Sequence, residues 1–297
     1  MKKKIAILGS TGSIGSTTLD IIYKNKRSFE IEVLSTNRNI KKIKHQTKNF
    51  NVKNVIIHDK KVFEKNKFYF EKLNINVYQN LTDFRREFKK KLDYTMCAIT
   101  GLDGLEPTLE IIQLTKRIAI ANKESIICGW NLIKRKLKKH KTEFIPIDSE
   151  HFSIFELIKN EKSENIKKIY ITASGGPFLN IDKSKLNKFV PKNAVKHPTW
   201  KMGKKISTDS STLINKVYEL IEAKKIFELD YNKFEIIIQP TSYIHGVVVF
   251  NNGFCKILSH PTSMKIPIYN SLSFNKNNLK ISESFDFEKM NNLNFQK

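Results

Sequence analysis

Short apolar runs punctuate the first half of the chain: KIAIL (4–8), EIEVLST (30–36), NVIIH (54–58), INVYQ (75–79), DYTMCAIT (93–100), RIAIAN (117–122) and EFIPI (143–147). Each has the length and composition of a strand. Amphipathic or Lys-rich segments separate them, among them STTLDIIYK, PTLEIIQLTK and SIICGWNLIKRKLKK. Continuous apolar runs mark strands covered on both faces, so this alternation predicts a mainly parallel, doubly wound α/β sheet with helices on either side. After about position 150 the rhythm changes. SEHFSIFELIKN predicts a helix, IKKIYITAS (166–174) a strand, 177–205 a polar loop, and DSSTLINKVYELIEAKKIFEL (209–229) one long helix. EIIIQP (235–240), HGVVVF (245–250) and GFCKILS (253–259) are strands without helices between them, which predicts an α+β domain with antiparallel pairing. The expected division is 1–149, 150–275, and a polar, linker-like tail over 276–297 rich in Asn and Lys.

The first strand runs into Gly9-Ser10-Thr11-Gly12-Ser13-Ile14-Gly15 and then into a helix. Glycines permit a tight turn and close backbone approach, and the helix N-terminus offers free N–H groups to a phosphate. This context predicts a Rossmann-like dinucleotide site rather than a plain capped turn. No G-K-[ST] follows, which excludes a P-loop. A site for NAD would place a carboxylate at the end of the second strand to hold the ribose 2′-hydroxyl. The chain has Ser35-Thr36-Asn37-Arg38-Asn39 there, which suits a 2′-phosphate and hence NADP. Read locally, Arg38 could equally be a solvated turn residue.

Charge changes the picture less than its size suggests. Lys+Arg 53 against Asp+Glu 29 gives a net +24 over 297 residues. Arg, the residue suited to bidentate base contacts, occurs only at 27, 38, 85, 86, 117 and 135. Lys is abundant together with Asn, Ile and Phe, as an A/T-biased coding sequence would produce. A nucleic-acid partner is therefore not expected, and an anionic small substrate would gain from the same field. No run approaches eighteen apolar residues and the N-terminal apolar stretch is too short for a signal peptide, so no membrane partner and a cytoplasmic location are expected. Cys97, Cys128 and Cys255 form neither a zinc spacing nor a disulfide framework.

Two further segments carry candidate chemistry. Asp148-Ser149-Glu150 lies where a strand enters a helix, at the carboxyl edge of the expected sheet. Two carboxylates one residue apart can converge on a hard cation; locally, an N-cap with Glu150 in the first helical turn explains them as well or better. Asn215, Lys216 and Glu219 share one helical face, and Ser210 near the start of the expected helix could offer N–H groups to a phosphate. A solvated polar face with a Lys–Glu pair is the alternative. Ser174-Gly175-Gly176-Pro177, the loop residue His197, and Trp200-Lys201-Met202-Gly203 read as a mobile flap beside a strand end. Asn122-Lys123-Glu124 falls at another strand end, where a Lys can hold an anionic oxygen.

In this order, LGSTGSIG (8–15), ANKES (121–125), PIDSEH (146–151), ASGGPF (173–178), HPTWKMGKKIS (197–207) and DSSTLINKVYELIEA (209–223) resemble the 1-deoxy-D-xylulose 5-phosphate reductoisomerase family. The resemblance spans most of the chain. It implies NADPH contacts at Thr11, Gly12, Ser13, Ile14, Asn37, Arg38, Asn39, Asn122, Glu124 and Gly203. It implies that Asp148, Glu150 and Glu219 hold Mg²⁺, Mn²⁺ or Co²⁺. It implies a substrate shell of Lys123, Ser149, Glu150, Ser174, His197, Ser210, Asn215, Lys216 and Glu219, with Lys123, Lys216 and Glu150 catalytic and Trp200 covering the substrate. The implied reaction is rearrangement and NADPH reduction of the phosphorylated substrate 1-deoxy-D-xylulose 5-phosphate, in non-mevalonate isoprenoid precursor synthesis, by a homodimer. Two departures stand out. The family usually has Gly before Arg/Lys-Asn, where this chain has Asn37, a residue that tolerates left-handed backbone. The family also continues into a helical C-terminal domain, expected to be absent here because the sequence stops at Lys297. An inactive truncated remnant that still binds nucleotide, or a basic nucleic-acid-binding protein, are the alternatives.

Overall fold

A computed structural model describes residues 2–200, 203–273, 281, 283–291 and 293–296, with only the backbone at 183, 204 and 289. Met202, expected in the flap, lies outside the described residues, as does most of the first part of the expected tail. The chain forms two compact units, Met1–Ile147 with Ile268–Ile281, and Asp148–Pro267 with Ser282–Lys297.

The first unit holds a seven-stranded sheet: β1 (Lys3–Leu8), β2 (Phe29–Thr36), β3 (Asn54–Ile57), β4 (Asn76–Tyr78), β5 (Leu92–Cys97), β6 (Thr115–Ile120) and β7 (Glu143–Pro146). All pairs are parallel and the order is β4-β3-β2-β1-β5-β6-β7. The intervening helices are α1 (Ser13–Lys24), α2 (Ile40–Asn49), α3 (Lys60–Glu71), α4 (Leu81–Glu87), α5 (Leu105–Ile111) and α6 (Lys123–His140). The apolar runs are buried throughout: Ile5, Ala6, Ile7, Val33, Leu34, Val55, Ile56, Ile57, Ile118 and Ala119 are all fully enclosed. The doubly wound parallel sheet is as the pattern predicts. Chain direction reverses between β1 and β5, so the loops after these strands meet at the switch point where such sheets bind ligands.

Gly15 shows how tightly that point is built. A Cβ there would lie 2.4 Å from the Gly9 carbonyl oxygen and 2.6 Å from Ser10 Cα. Both are backbone atoms that cannot swing aside. Gly15→Ala is therefore expected to lower stability by about 1–3 kcal/mol despite alanine's better helix propensity, measured by urea unfolding.

The second unit holds β8 (Ile166–Ala173), β9 (Phe234–Ile238), β10 (Ile244–Phe250) and β11 (Cys255–Ser259) in the order β11-β10-β8-β9. Its helices are α7 (Ser149–Ile158), α8 (Pro191–Ala194), α9 (Lys204–Ser211), α10 (Ile214–Phe227) and α12 (Phe287–Asn291), while α11 (Lys265–Leu272) crosses from this unit into the first. Ile154, Ile169, Ile171, Ala223, Phe234, Val248 and Phe250 form its core.

Three expectations need correction. β10 pairs antiparallel with β8 and β11, but β8 and β9 pair in parallel. The helices between β8 and β9 return the chain to its starting end, as a parallel pair requires. The single helix expected over 209–229 is two helices. Leu213 has φ 60° and breaks the path between α9 and α10. Close to this break, the backbone of Gly176 (φ +71°) approaches so near that a Cβ there would meet the Ser210 carbonyl oxygen at 2.6 Å. The polar loop expected over 177–205 also carries α8 and the start of α9.

Candidate active site

In the first unit the loop after β1 is fixed from below. Ser35 Oγ accepts from Gly9 N at 2.8 Å, and Ser35 O accepts from Ser10 N at 2.9 Å. Gln46 of α2 accepts from Ser10 Oγ at 2.8 Å and donates Nε2 to Ser10 O at 2.9 Å. Thr11 Oγ1 and Thr36 Oγ1 lie 2.9 Å apart, and Lys42 Nζ donates to Thr11 O at 2.9 Å. Gly12 then caps α1, and Ser13 and Ile14 begin it, so their amides are among the unpaired donors of a helix N-terminus. On the other side of the switch point, Asn122 caps α6 by accepting from Ser125 N at 2.7 Å and donates to the carbonyls of Ile99 and Gly101. Lys123 and Glu124 form the first turn of α6, with Lys123 buried.

Asn37 does not take the left-handed backbone expected of a glycine substitute. Among the described residues, positive φ outside glycine occurs at Asn74, Lys141, Leu213, Glu228 and Ser242. The turn is made instead by Asn39, whose Oδ1 caps α2 by accepting from Lys42 N at 3.1 Å. Arg38 is an ion-pair partner of Asp59 through Nε at 2.7 Å.

The second unit gathers the acidic residues. Asp148 precedes α7 without a side-chain capping bond, so the capping explanation falls for it. Ligand atoms from Asp148, Glu150 and Glu219 all lie within 4.8 Å of one another. The Lys216 ammonium is bonded to Glu150 Oε1, to Glu219 Oε2 and, at 2.9 Å, to Thr172 O at the end of β8. Asn215 Nδ2 donates to Glu219 Oε1, and Ser149 Oγ donates to Glu150 Oε2 at 2.5 Å. Asn215, Lys216 and Glu219 are all buried on one face of α10, so the solvated-face explanation falls as well.

The electrostatics follow from enclosure. Burial, with repulsion from Glu219, pushes the Glu150 carboxyl up to about 7 despite the pull of Lys216. Burial alone would lower the Lys216 ammonium, but Glu150 and Glu219 raise it above its ordinary value. Three convergent carboxylates around a buried cation are a donor set for a hard divalent ion, and the ammonium shows that this cluster accepts positive charge.

A second trio, Asp148, His151 and Glu222, meets the same distance criterion. His151 Nε2 donates to Glu219 O at 2.9 Å, while Nδ1 faces Asp148 at 3.4 Å and Glu222 at 3.7 Å. Burial opposes its protonation, yet Glu222 and then Asp148 raise it to about 10. An imidazolium has no lone pair for a metal. This trio therefore braces the first one from behind, touching one ligand's side chain and another's backbone.

Ser174 Oγ lies 2.9 Å from His197 Nε2 and accepts from Gly176 N at 3.2 Å. His197 Nδ1 accepts from Trp200 N at 2.9 Å and Thr199 N at 3.2 Å, which places the ring proton on Nε2. Burial, then Lys216, lowers its pKa. Ser210 sits in the last turn of α9, not at a helix N-terminus, so its backbone N–H groups are not the phosphate donors expected. Its carbonyl nevertheless lies against Gly176, two residues from Ser174. Gly203 caps α9 and is exposed. The Trp200 ring packs edge-on against His245 at 5.7 Å, and His245 stacks on His260 at 3.6 Å.

Sequence reasoning missed His151, Glu222, Thr172 and the His245–His260 stack. His151 and Glu222 carried a signal, three residues along from Asp148 and Glu219 respectively. The stack carried none. Its pH consequence is direct. Burial lowers His245 well below its ordinary value and His260 to about 4. Each must stay neutral when folded but charges when unfolded, so its stability contribution is whole above about pH 6.5 and is lost as pH falls toward 4. His260→Gln is expected to remove about 2 kcal/mol of that acid sensitivity, measured by chemical denaturation at pH 7 and pH 4.5.

Cys97 is buried, which pushes its thiol up to about 12 and keeps it from acting as a nucleophile. The family model described as 1-deoxy-D-xylulose 5-phosphate reductoisomerase matches residues 5–129, and the one described as that enzyme's C-terminal domain matches 144–227. The reductoisomerase of Pelagibacter ubique (strain HTCC1062) is 54% identical over 297 residues, covering 99% of this chain and 76% of the relative. The chain belongs to this family.

The reductoisomerase family thus accounts for both units, and with it the chain is an NADPH-dependent oxidoreductase. The solved reductoisomerase from Zymomonas mobilis in complex with NADPH superposes with a TM-score of 0.90 at 34% identity, covering all of this chain and 77% of that one. A reductoisomerase in complex with NADPH, fosmidomycin and magnesium gives 0.90 at 30% identity, covering 99% and 75%. The chain spans about three quarters of the length of these relatives, and the C-terminal family model falls on its second unit. Among the described residues no helix is long and apolar enough to cross a membrane.

Proposed function

We propose that the chain converts 1-deoxy-D-xylulose 5-phosphate to 2-C-methyl-D-erythritol 4-phosphate, using NADPH and a divalent metal, in non-mevalonate isoprenoid precursor synthesis. The observation that carries this reading is the convergence of Asp148, Glu150 and Glu219 around Lys216. Residues 1–149 would bind NADPH, 150–275 metal and substrate, and 276–297 would act as a linker. A cytoplasmic homodimer is part of the proposal.

Asp148, Glu150 and Glu219 would hold Mg²⁺, Mn²⁺ or Co²⁺, which supplies Lewis acidity toward carbonyl and hydroxyl oxygens when bound. With its carboxylates so engaged, Lys216 is released to donate to oxyanion charge on the rearranging substrate, and Lys123 is proposed to share that task. Ser149 and Asn215 hold Glu150 and Glu219 in place and border the substrate. His197 Nε2–H, Ser174 Oγ and Ser210 are proposed to take the phosphate. Trp200, tethered through its amide to His197, closes over the substrate and excludes water. The rearrangement gives a branched aldehyde; hydride from NADPH and one proton then give the alcohol and NADP⁺. Thr11, Gly12, Ser13 and Ile14 are proposed to contact the pyrophosphate, Asn37, Arg38 and Asn39 the 2′-phosphate side, and Asn122, Glu124 and Gly203 the remainder. The test is NADPH oxidation at 340 nm with the proposed substrate and Mn²⁺. Metal-dependent turnover abolished by EDTA is expected; a folded protein that binds NADPH without turnover would instead mark an inactive remnant.

A further inference from the structure

The expected 2′-phosphate residue, Arg38, is held by a residue that no part of the reaction has used. The ends of β2 and β3 are adjacent: His58 N donates to Thr36 O at 3.0 Å and Asp59 N to Asn37 O at 3.4 Å. Asp59 is thereby fixed beside Arg38. Its carboxylate is divided between two tasks. Oδ1 caps α3, accepting from Val62 N at 3.0 Å. Oδ2 accepts from Arg38 Nε at 2.7 Å. The Arg38 side chain is otherwise open, 76% exposed, whereas that of Asp59 is 17% exposed.

A guanidinium gripped at Nε keeps its two Nη groups as a planar edge, the edge that meets a phosphate in bidentate fashion. An arginine this exposed would otherwise sample many rotamers, and ordering it would weaken binding. The same contact occupies Asp59. A carboxylate at this rim could accept from a ribose 2′-hydroxyl and so favour NADH. Committed to Val62 and Arg38, it has fewer acceptor sites and less freedom to do so.

We infer that Asp59 is a positioning residue for cofactor choice, presenting the Arg38 edge to the 2′-phosphate and thereby favouring NADPH over NADH. The inference rests on the NADPH reading of the first unit. It assigns Asp59 no contact with cofactor or substrate.

The test is a double-mutant cycle read by cofactor fluorescence in the full chain, with Kd measured for NADPH and for NADH. Asp59→Ser keeps a capping hydroxyl for α3 but cannot reach Arg38, so loss of the cap is separated from loss of the grip. D59S is expected to raise the Kd for NADPH about tenfold and leave that for NADH unchanged. Arg38→Ala is expected to do the same or more. In the R38A background D59S should then have no further effect on NADPH. The inference is overturned if D59S leaves the ratio of the two Kd values unchanged. It is equally overturned if D59S weakens NADPH as much with R38A as without it. A wild-type protein that binds NADPH no tighter than NADH would remove the underlying reading itself.

Discussion

Glu219→Gln is expected to abolish turnover while leaving the fold intact. Glu219 sits at the centre of the second unit's polar cluster, 1% exposed, and is the one member that touches all three of its neighbours' roles. Its Oε1 accepts from Asn215, its Oε2 from Lys216, and its backbone carbonyl from His151. Glutamine preserves the shape, the backbone contact and one oxygen. It removes one charged member of the proposed ligand set. Lewis-acid stabilisation is worth several kcal/mol, which at about 1.4 kcal/mol per decade corresponds to a fall in kcat of about 10³-fold. Stability should fall by about 1–2 kcal/mol, because the new amide NH2 must face either Asn215 Nδ2 or the Lys216 ammonium, while Lys216 keeps Glu150 and Thr172 as partners. Loss of Glu219's charge also relieves the repulsion that raises Glu150. The checks are steady-state kinetics and thermal unfolding with and without Mn²⁺: kcat collapses, the metal-free Tm stays within a few degrees, and the rise in Tm on adding metal disappears. A variant that still gains Tm from Mn²⁺ as the wild type does would show that the ion is held elsewhere.

That cluster was only half legible in the sequence. Spacing alone put Asn215, Lys216 and Glu219 on one face, and α10 bears this out. Spacing could not tell a buried face from a solvated one, because Lys, Asn and Glu are the residues of both. The order of motifs across the chain, not any local pattern, linked 148–150 to 215–219. The parallel strands were legible because strands buried on both faces leave unbroken apolar runs such as Ile5-Ala6-Ile7-Leu8. The break at Leu213 was not, for no glycine or proline marks it. The return of 268–273 to the first unit was equally hidden. It is secured by a Tyr94–Ser271 hydroxyl bond of 2.7 Å and by Arg117 donating to Ser273 O at 3.0 Å, contacts more than 150 positions apart in sequence. Such pairings are set by shape, and composition does not encode them.

Lys216→Met separates the two roles of the buried ammonium. Methionine fills the same volume and carries no charge. Lys216 is the cation between Glu150 and Glu219. Removing one partner of a buried ion pair leaves uncompensated charge and typically costs about 3–5 kcal/mol. Part of that loss is escaped here, since Glu150 titrates near neutrality and can take a proton. The metal-free Tm should still fall, by roughly 10 °C. A divalent ion replaces the missing charge. It no longer has to displace an ammonium, so K216M should bind Mn²⁺ about tenfold or more tightly than the wild type, and its Tm should recover when the ion is added. Turnover should not recover. The proposed donor to the developing oxyanion is gone, and kcat is expected to remain about 10²–10³-fold down at saturating metal. Tighter metal binding with lower activity distinguishes a lysine that both substitutes for the ion and serves the reaction from one that merely braces the fold. A merely bracing lysine would give a lower Tm that metal cannot restore. Isothermal titration with Mn²⁺ decides between them, and weaker binding by K216M would mean that Lys216 supports the ion's site instead of competing for it.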